Sequence, residues 1–363
     1  MKRKNPLLHY IVTEGCRYVW QTLKNCVKPV LGRKPYHDEK LVFFRQYILH
    51  WIGLQRIGAV TCAMSSASEG SGSLASLTMC TINLARVSGL AYLHTPLSIV
   101  GHADRPMQQW AAAWESLFNL GAGEEPCNGS RRGVVDAGRY NLWNLDLCLG
   151  LRHREKELQD SFRVLIPEFR RKYYLNKSPR TTDEITVAVH IRRGDVSARE
   201  CSHMYTSTEE VLRVASEVKS ILDANAVLHT MSIYSQGTQD DFEQLFPLGA
   251  RFFLNADAVW TMQELIEADI LIMARGNYSY YAGVISDGIK IYEPFIPGGG
   301  SGNRRLPNAG LPALPLAWSC SIFSELDDWL PYQTNGSFDH VAFERQLSLL
   351  LLARKKTPAG GPV

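Results

Sequence analysis

The chain has 363 residues, more than one hydrophobic core usually serves, which suits two domains of ordinary size. It is 45% hydrophobic, 10% aromatic and 21% charged, which excludes a disordered, fibrous or collagen-like chain. With 39 Lys+Arg against 36 Asp+Glu, the formal net charge of +3 gives no dense basic face; no nucleic-acid partner is expected, and any anion site must be local.

In chain order, residues 1–55 are basic and aromatic with little clear period and read as a helical lead-in. Met1 to Lys4 make a basic start, but Glu14, Arg17, Lys24 and Lys28 interrupt the segment from Pro6 to Gly32, so there is no signal-peptide core. No apolar run is long enough to span a bilayer, and the expectation is a cytoplasmic protein whose N-terminal helix can at most touch a membrane surface. The 8 cysteines (Cys16, Cys26, Cys62, Cys80, Cys127, Cys148, Cys201, Cys320) form no C-x-x-C pair and no zinc spacing, so they read as plain thiols of a reducing compartment with no metal site. The N-x-[ST] sequons at Asn128, Asn176, Asn277 and Asn335 then read as chance matches.

From Ile57 the pattern sharpens. Ile57 to Met64 reads as a buried strand, Ser65 to Ser73 as a small-residue loop, and Leu74 to Ala85 as a helix stopped by Gly89. Leu90 to Thr95 is the next strand, completing a βαβ unit whose natural sheet is parallel. Trp110, Trp114 and Phe118 share one helix face, either as a core stripe or as a platform for a sugar ring. Residues 121–138 read as a loop, and 151–175 as a charged helix leading to the second domain.

The second half keeps the same rhythm. Strands are predicted at Ile185–His190, Met231–Tyr234, Ala250–Leu254, Ile270–Met273 and Ile289–Tyr292. Helices lie between them, the first opened by a Ser207/Glu210 capping box, the others over 240–246, 260–268 and 279–285. Residues 296–334 read as a Pro/Gly-rich tail and Phe338 to Ala353 as a closing amphipathic helix. The expected architecture is therefore α/β, with two Rossmann-like domains (1–175 and 176–363), parallel sheets and an interdomain cleft.

Parallel sheets bind ligands beyond the carboxyl ends of their strands. At such an end stands Val189-His190-Ile191-Arg192-Arg193-Gly194-Asp195, where two fork-shaped guanidinium groups suit a diphosphate; the alternative is a solvated loop with Arg193 paired to Asp195. After Met273, Asn277 and Ser279 open a helix whose free N–H groups make an anion seat, compatible with ordinary capping. Glu69-Gly70-Ser71-Gly72-Ser73 lacks the third glycine of a dinucleotide loop and reads equally as a phosphate-side loop or a plain turn. His94, His102 and Asp104 sit close together in the first half, as acceptor-binding candidates or as ordinary loop polarity. D-x-D, P-loop and G-x-S-x-G patterns are absent, so arginines and helix ends must neutralise any departing diphosphate.

The segment VAVHIRRGD resembles the first signature of the fucosyltransferases that share an H-x-R-R loop: the α1,2- and α1,6-enzymes, the bacterial nodulation-factor enzyme and, more distantly, the protein O-fucosyltransferases. Met262 to Met273 followed by Asn277-Tyr278-Ser279-Tyr280-Tyr281-Ala282 resembles their third signature. The resemblance implies a GT-B fold, GDP-fucose as donor, a glycan acceptor, and inverting transfer without metal or cofactor. It places Arg192, and with less force Arg193, on the β-phosphate, His190 beside guanine or ribose, and Ser279 and Tyr280 on the diphosphate. Glu200, ten residues after His190, takes the position of a proposed catalytic base, with a solvated acid as the alternative; Asp195 reads as an orienter of Arg193. The family's guanine-contacting carboxylate falls on Thr261, with Asp257 the nearest acid, which keeps another nucleoside-diphosphate sugar open as donor. A non-catalytic nucleotide- or glycan-binding module on the same fold is the third expectation.

Overall fold

A computed structural model describes residues 57–63, 69–128, 133–138, 149, 151, 154–177, 180, 182–199, 204–293, 328–333 and 335–356. The helical lead-in and most of the Pro/Gly-rich tail lie outside them.

The first half starts with β1 (Ala59–Thr61), α1 (Ser71–Ser88) and β2 (Ala91–His94). α1 is almost wholly apolar or small, and every residue from Ser71 to Ala85 except Ser73 is buried, so the helix is a core element. Gly89 ends it in the left-handed region (φ 66°), where its N–H reaches the carbonyls of Ala85 and Arg86. The helix begins three residues before the apolar periodicity does. Ser71-Gly72-Ser73 therefore form its first turn instead of a loop, because the Ser73 hydroxyl bonds Glu69 one turn back at 2.8 Å.

α2 (Met107–Phe118) follows, and its aromatic stripe is core: Trp110, Trp114 and Phe118 are 2%, 1% and 2% exposed, which leaves no face for a sugar. Two short strands occupy the segment expected as loop, β3 (Glu125–Pro126) and β4 (Val134–Asp136), and both join the first sheet. α3 (Glu155–Tyr174) then runs back along α1, where the Asn83 amide donates to the Leu158 carbonyl at 2.9 Å.

The second half contains β5 (Ile185–His190), α4 (Thr208–Ala224), β6 (His229–Ser235), a 3₁₀ segment (Gln239–Leu248), β7 (Arg251–Leu254), α5 (Ala258–Glu267), β8 (Ile270–Ile272), α6 (Asn277–Ile285) and β9 (Ile289–Tyr292). The Ser207/Glu210 capping box forms as expected. A further strand, β10 (Trp329–Pro331), lies within the expected tail, and α7 (His340–Lys356) closes the described chain. α7 packs Phe343 and Leu347 on the second core, and its Arg354 reaches the Thr182 and Glu184 carbonyls.

Both sheets are parallel throughout their described pairings, with orders β3-β2-β1-β4 and β10-β9-β8-β5-β6-β7. The fold is α/β with two parallel sheets. In each sheet the chain proceeds outward from its first strand, then returns to that strand's other side. The reversals fall at β1/β4 and β5/β8, the places where parallel sheets offer a crevice to ligands. One apolar cluster spans the halves, joining α1, α2 and α3 to α5 and α6, while a second lies between the six-stranded sheet, α4 and α7. Among the described residues, no helix is long and apolar enough to cross a membrane.

Candidate active site

The crevice of the six-stranded sheet lies between the loop after β5 and the loop that carries β8 into α6. Gly276 caps α6 with φ 143° and ψ 161°, a conformation that side chains rarely adopt. A Cβ there would run into Nη1 of Arg192, so the guanidinium lies directly against the start of α6. Asp195 holds Arg192 from the other side, accepting from Nη2 at 2.6 Å and from Nε at 3.2 Å. Partial burial works against the Asp195 carboxylate, but the Arg192 hydrogen bonds and charge outweigh it and hold its pKa below the ordinary value. This differs from the sequence expectation, in which Asp195 oriented Arg193.

Below the arginine, His190 at the end of β5 hydrogen-bonds the Ser279 hydroxyl through Nδ1, and Ser279 Oγ accepts from the Ala274 N–H at 3.2 Å. Burial, reinforced by the nearby Arg192 charge, pushes the His190 imidazole down to about 3, so it is neutral at pH 7. The Ser279 proton then has a natural acceptor in Nδ1, which leaves the histidine proton on Nε2. Tyr278 packs beside His190, with ring centroids 5.2 Å apart, and its hydroxyl donates to the Ala258 carbonyl.

The first half meets this site helix end to helix end. A Cβ on Gly72 would lie 2.6 Å from both Cα and N of Tyr278, so the first turns of α1 and α6 are in contact through bare backbone. Gly70, the cap of α1, faces the His102 ring: its Cβ would lie 3.5 Å from Cδ2 and 3.9 Å from Nε2. His102 in turn stands close enough to Asp195 for its charge to depress that carboxylate. Gly70, Gly72, His102, His190, Arg192, Asp195, Asn277 and Ser279 are thus brought together across the two halves.

Other expected residues stand elsewhere. Arg193 turns away: its guanidinium sits 4.3 Å above the Tyr205 ring and bonds Thr208 Oγ1 at 3.3 Å, bracing the start of α4. Tyr280 is 3% exposed and packs against Tyr292 and Trp329, so its side chain faces the core and not a diphosphate. His94 is enclosed by Glu115 at 2.8 Å and Tyr92 at 3.2 Å, and Asp104 is gripped by Arg105 at 2.6 Å; the acceptor-binding trio is dispersed, with His102 alone of the three at the crevice. Thr261 lies within α5, whose cap is Asp257. Glu200 lies outside the described residues.

Three contributors had only faint sequence signals. Arg105 bonds both Asp104 and Asp257, joining the halves beside the crevice, and it stands as a single basic residue in an Asp-Arg-Pro turn. Asp257 accepts from the Trp260 N–H at 2.8 Å, a cap readable from an aspartate just before the helix. Asp136, at the end of β4, accepts from the Ala63 and Gly138 N–H groups, each at 2.9 Å, and so ties together the loops at the other crevice. Among the described residues, no group of three His, Cys, Asp or Glu side chains is placed to hold a metal ion.

No protein-family model and no curated protein sequence matches the chain. Solved structures do. A crystal structure of POFUT1 in complex with GDP-fucose matches at 12% identity with a TM-score of 0.34, covering 65% of this chain and 96% of that one. POFUT1 in complex with GDP matches at 11% identity and TM-score 0.23, covering 66% and 73%. A second GDP-fucose complex of POFUT1 matches at 11% identity and TM-score 0.22, covering 70% and 77%.

Proposed function

We propose that the chain is a GT-B glycosyltransferase that transfers fucose from GDP-fucose to a glycan hydroxyl, with inversion and without a metal or cofactor. One observation carries it: Arg192, held by Asp195, lies against Gly276 at the opening of α6, at the reversal point of a parallel sheet. A guanidinium and the free N–H groups of a helix start are the two kinds of donor that neutralise a diphosphate. As the sugar's C1 bond to the diphosphate breaks, negative charge grows on the β-phosphate oxygen, where these donors gain strength. The H-x-R-R resemblance adds fucose and guanine, finer attributions that the geometry alone does not reach. Glu200 would serve as the base in that family pattern.

Arg192→Ala tests the proposal. Losing one such donor costs about 3–4 kcal/mol of transition-state stabilisation, so transfer should fall by about two to three orders of magnitude with the fold intact. The GDP-induced thermal shift should fall with it. Full transfer activity in Arg192→Ala would overturn the phosphate role.

Thr261, where a base-contacting carboxylate is expected, favours a second reading with another nucleoside-diphosphate sugar as donor. Thermal shifts with GDP, UDP, ADP and CMP separate the two, since a ligand at 100 times its Kd stabilises by about 2.7 kcal/mol.

A further inference from the structure

Several groups able to accept a proton stand around the joined crevice, and almost all are engaged. Asp195 is held by Arg192, Asp257 by Arg105, Glu69 by the Ser73 hydroxyl, and His190 by Ser279. His102 differs: it is exposed, and among the described residues no hydrogen bond engages its ring.

Its placement is fixed nonetheless. His102 takes a left-handed backbone (φ 58°) one residue after Gly101, whose N–H bonds the Glu69 carbonyl at 2.8 Å and whose carbonyl accepts from the Trp110 indole at 3.2 Å. Three residues further on, Arg105 fastens the loop to Asp257 of the other half. The ring therefore stands over Gly70 on a short span anchored at both ends, within electrostatic reach of Asp195, the partner of Arg192. The charged groups on the elements around it are Glu69 before α1, Asp104 and Arg105 on its own loop, and Arg192 and Asp195 after β5.

We infer that His102, in place of Glu200, is the proton acceptor for the incoming acceptor hydroxyl; the inference rests on the glycosyl-transfer reading above. The hydroxyl's O–H bond breaks and its proton passes to an unprotonated nitrogen of His102. The oxygen's electron pair forms the new bond to C1 of the sugar. The bond from C1 to the diphosphate breaks, and its electron pair leaves on the β-phosphate oxygen against Arg192. Histidine and arginine thus serve opposite ends of one displacement, one from each half of the chain.

The test compares wild type, His102→Gln and Glu200→Gln in GDP-fucose turnover against an acceptor panel, alongside GDP-induced thermal shift. His102→Gln should keep the GDP shift and lose about 100-fold or more in transfer, a typical loss for a positioned base. Added imidazole should restore part of the rate in His102→Ala. That rescue also separates a chemical role from a folding defect. Transfer by His102→Gln within a few-fold of wild type overturns the inference, as does a parallel loss of GDP binding, which would make His102 a donor ligand. Failure of the wild type to bind GDP or turn over the donor would instead defeat the transferase reading itself.

Discussion

Gly72 probes the contact on which the site depends. It is the second residue of α1, and an added Cβ would lie 2.6 Å from Cα and N of Tyr278 and 2.7 Å from the Asn277 carbonyl carbon. Carbon atoms rest comfortably about 3.5–4.0 Å apart, so Gly72→Ala must drive the two helix starts apart by roughly 1 Å. Neither helix has slack, because α1 is buried along its first four turns and Ser279 to Ile285 of α6 are all buried. Overpacking of this kind costs about 1–3 kcal/mol. Replacing glycine by alanine in a helix returns at most about 1 kcal/mol. With that return the net expectation is a loss of up to about 2 kcal/mol, read as a lower urea midpoint at unchanged slope. Gly58→Ala is the control, since nothing lies within 4 Å of its Cβ. The same displacement moves α6 relative to Arg192, and misplacements of about 1 Å can cost 100-fold in rate, so turnover should fall more steeply than stability. A Gly72→Ala protein as stable and as active as wild type would show that the two helix ends do not meet.

Two more outcomes concern the groups flanking Arg192. The folded-state pKa of His190, about 3, lies below the ordinary histidine value, so the unfolded chain binds the proton first as pH falls. This contribution is full above about pH 6.5 and is lost toward pH 3 at about 1.4 kcal/mol per pH unit; His190→Gln should flatten that acid slope, and parallel pH–stability curves would contradict neutral burial. Arg193→Ala should lose about 1 kcal/mol of stability with its contact on Tyr205, yet keep its GDP thermal shift, the reverse of Arg192→Ala. Loss of nucleotide binding in Arg193→Ala would restore it to the phosphate.

The regular elements were legible where burial imposed a long pattern. β5 and β9 match their apolar runs residue for residue, and Ser207/Glu210 and Gly89 mark helix ends by capping chemistry that is local by nature. β3, β4 and β10 were not legible, because runs of 2 or 3 residues carry no periodicity and form only by pairing with a strand already present. Arg192 and Arg193 show the limit for side chains. They are adjacent and chemically identical, so only the third dimension sends one to Gly276 and the other to Tyr205. The proximity of His94, His102 and Asp104 in sequence was equally uninformative, since Glu115 and Arg105 claim two of them.

Topology explains why loops far apart in the chain form one site. In each sheet the first strand is flanked by the next strand in the chain and by the one that returns, β2 and β4 beside β1, and β6 and β8 beside β5. The loop leaving the first strand must then pass the crevice at the reversal, whatever its sequence. In the first sheet that loop leads to Gly70 and α1; in the second it is Ile191 to Asp195. A cleft shared by two sheets therefore requires only that these two crevices face each other. Gly72 against Tyr278 accomplishes that, since α1 continues the first loop and α6 borders the second. A side chain at position 72 would occupy the seam itself, so the glycine there is a requirement of the paired architecture, independent of any ligand.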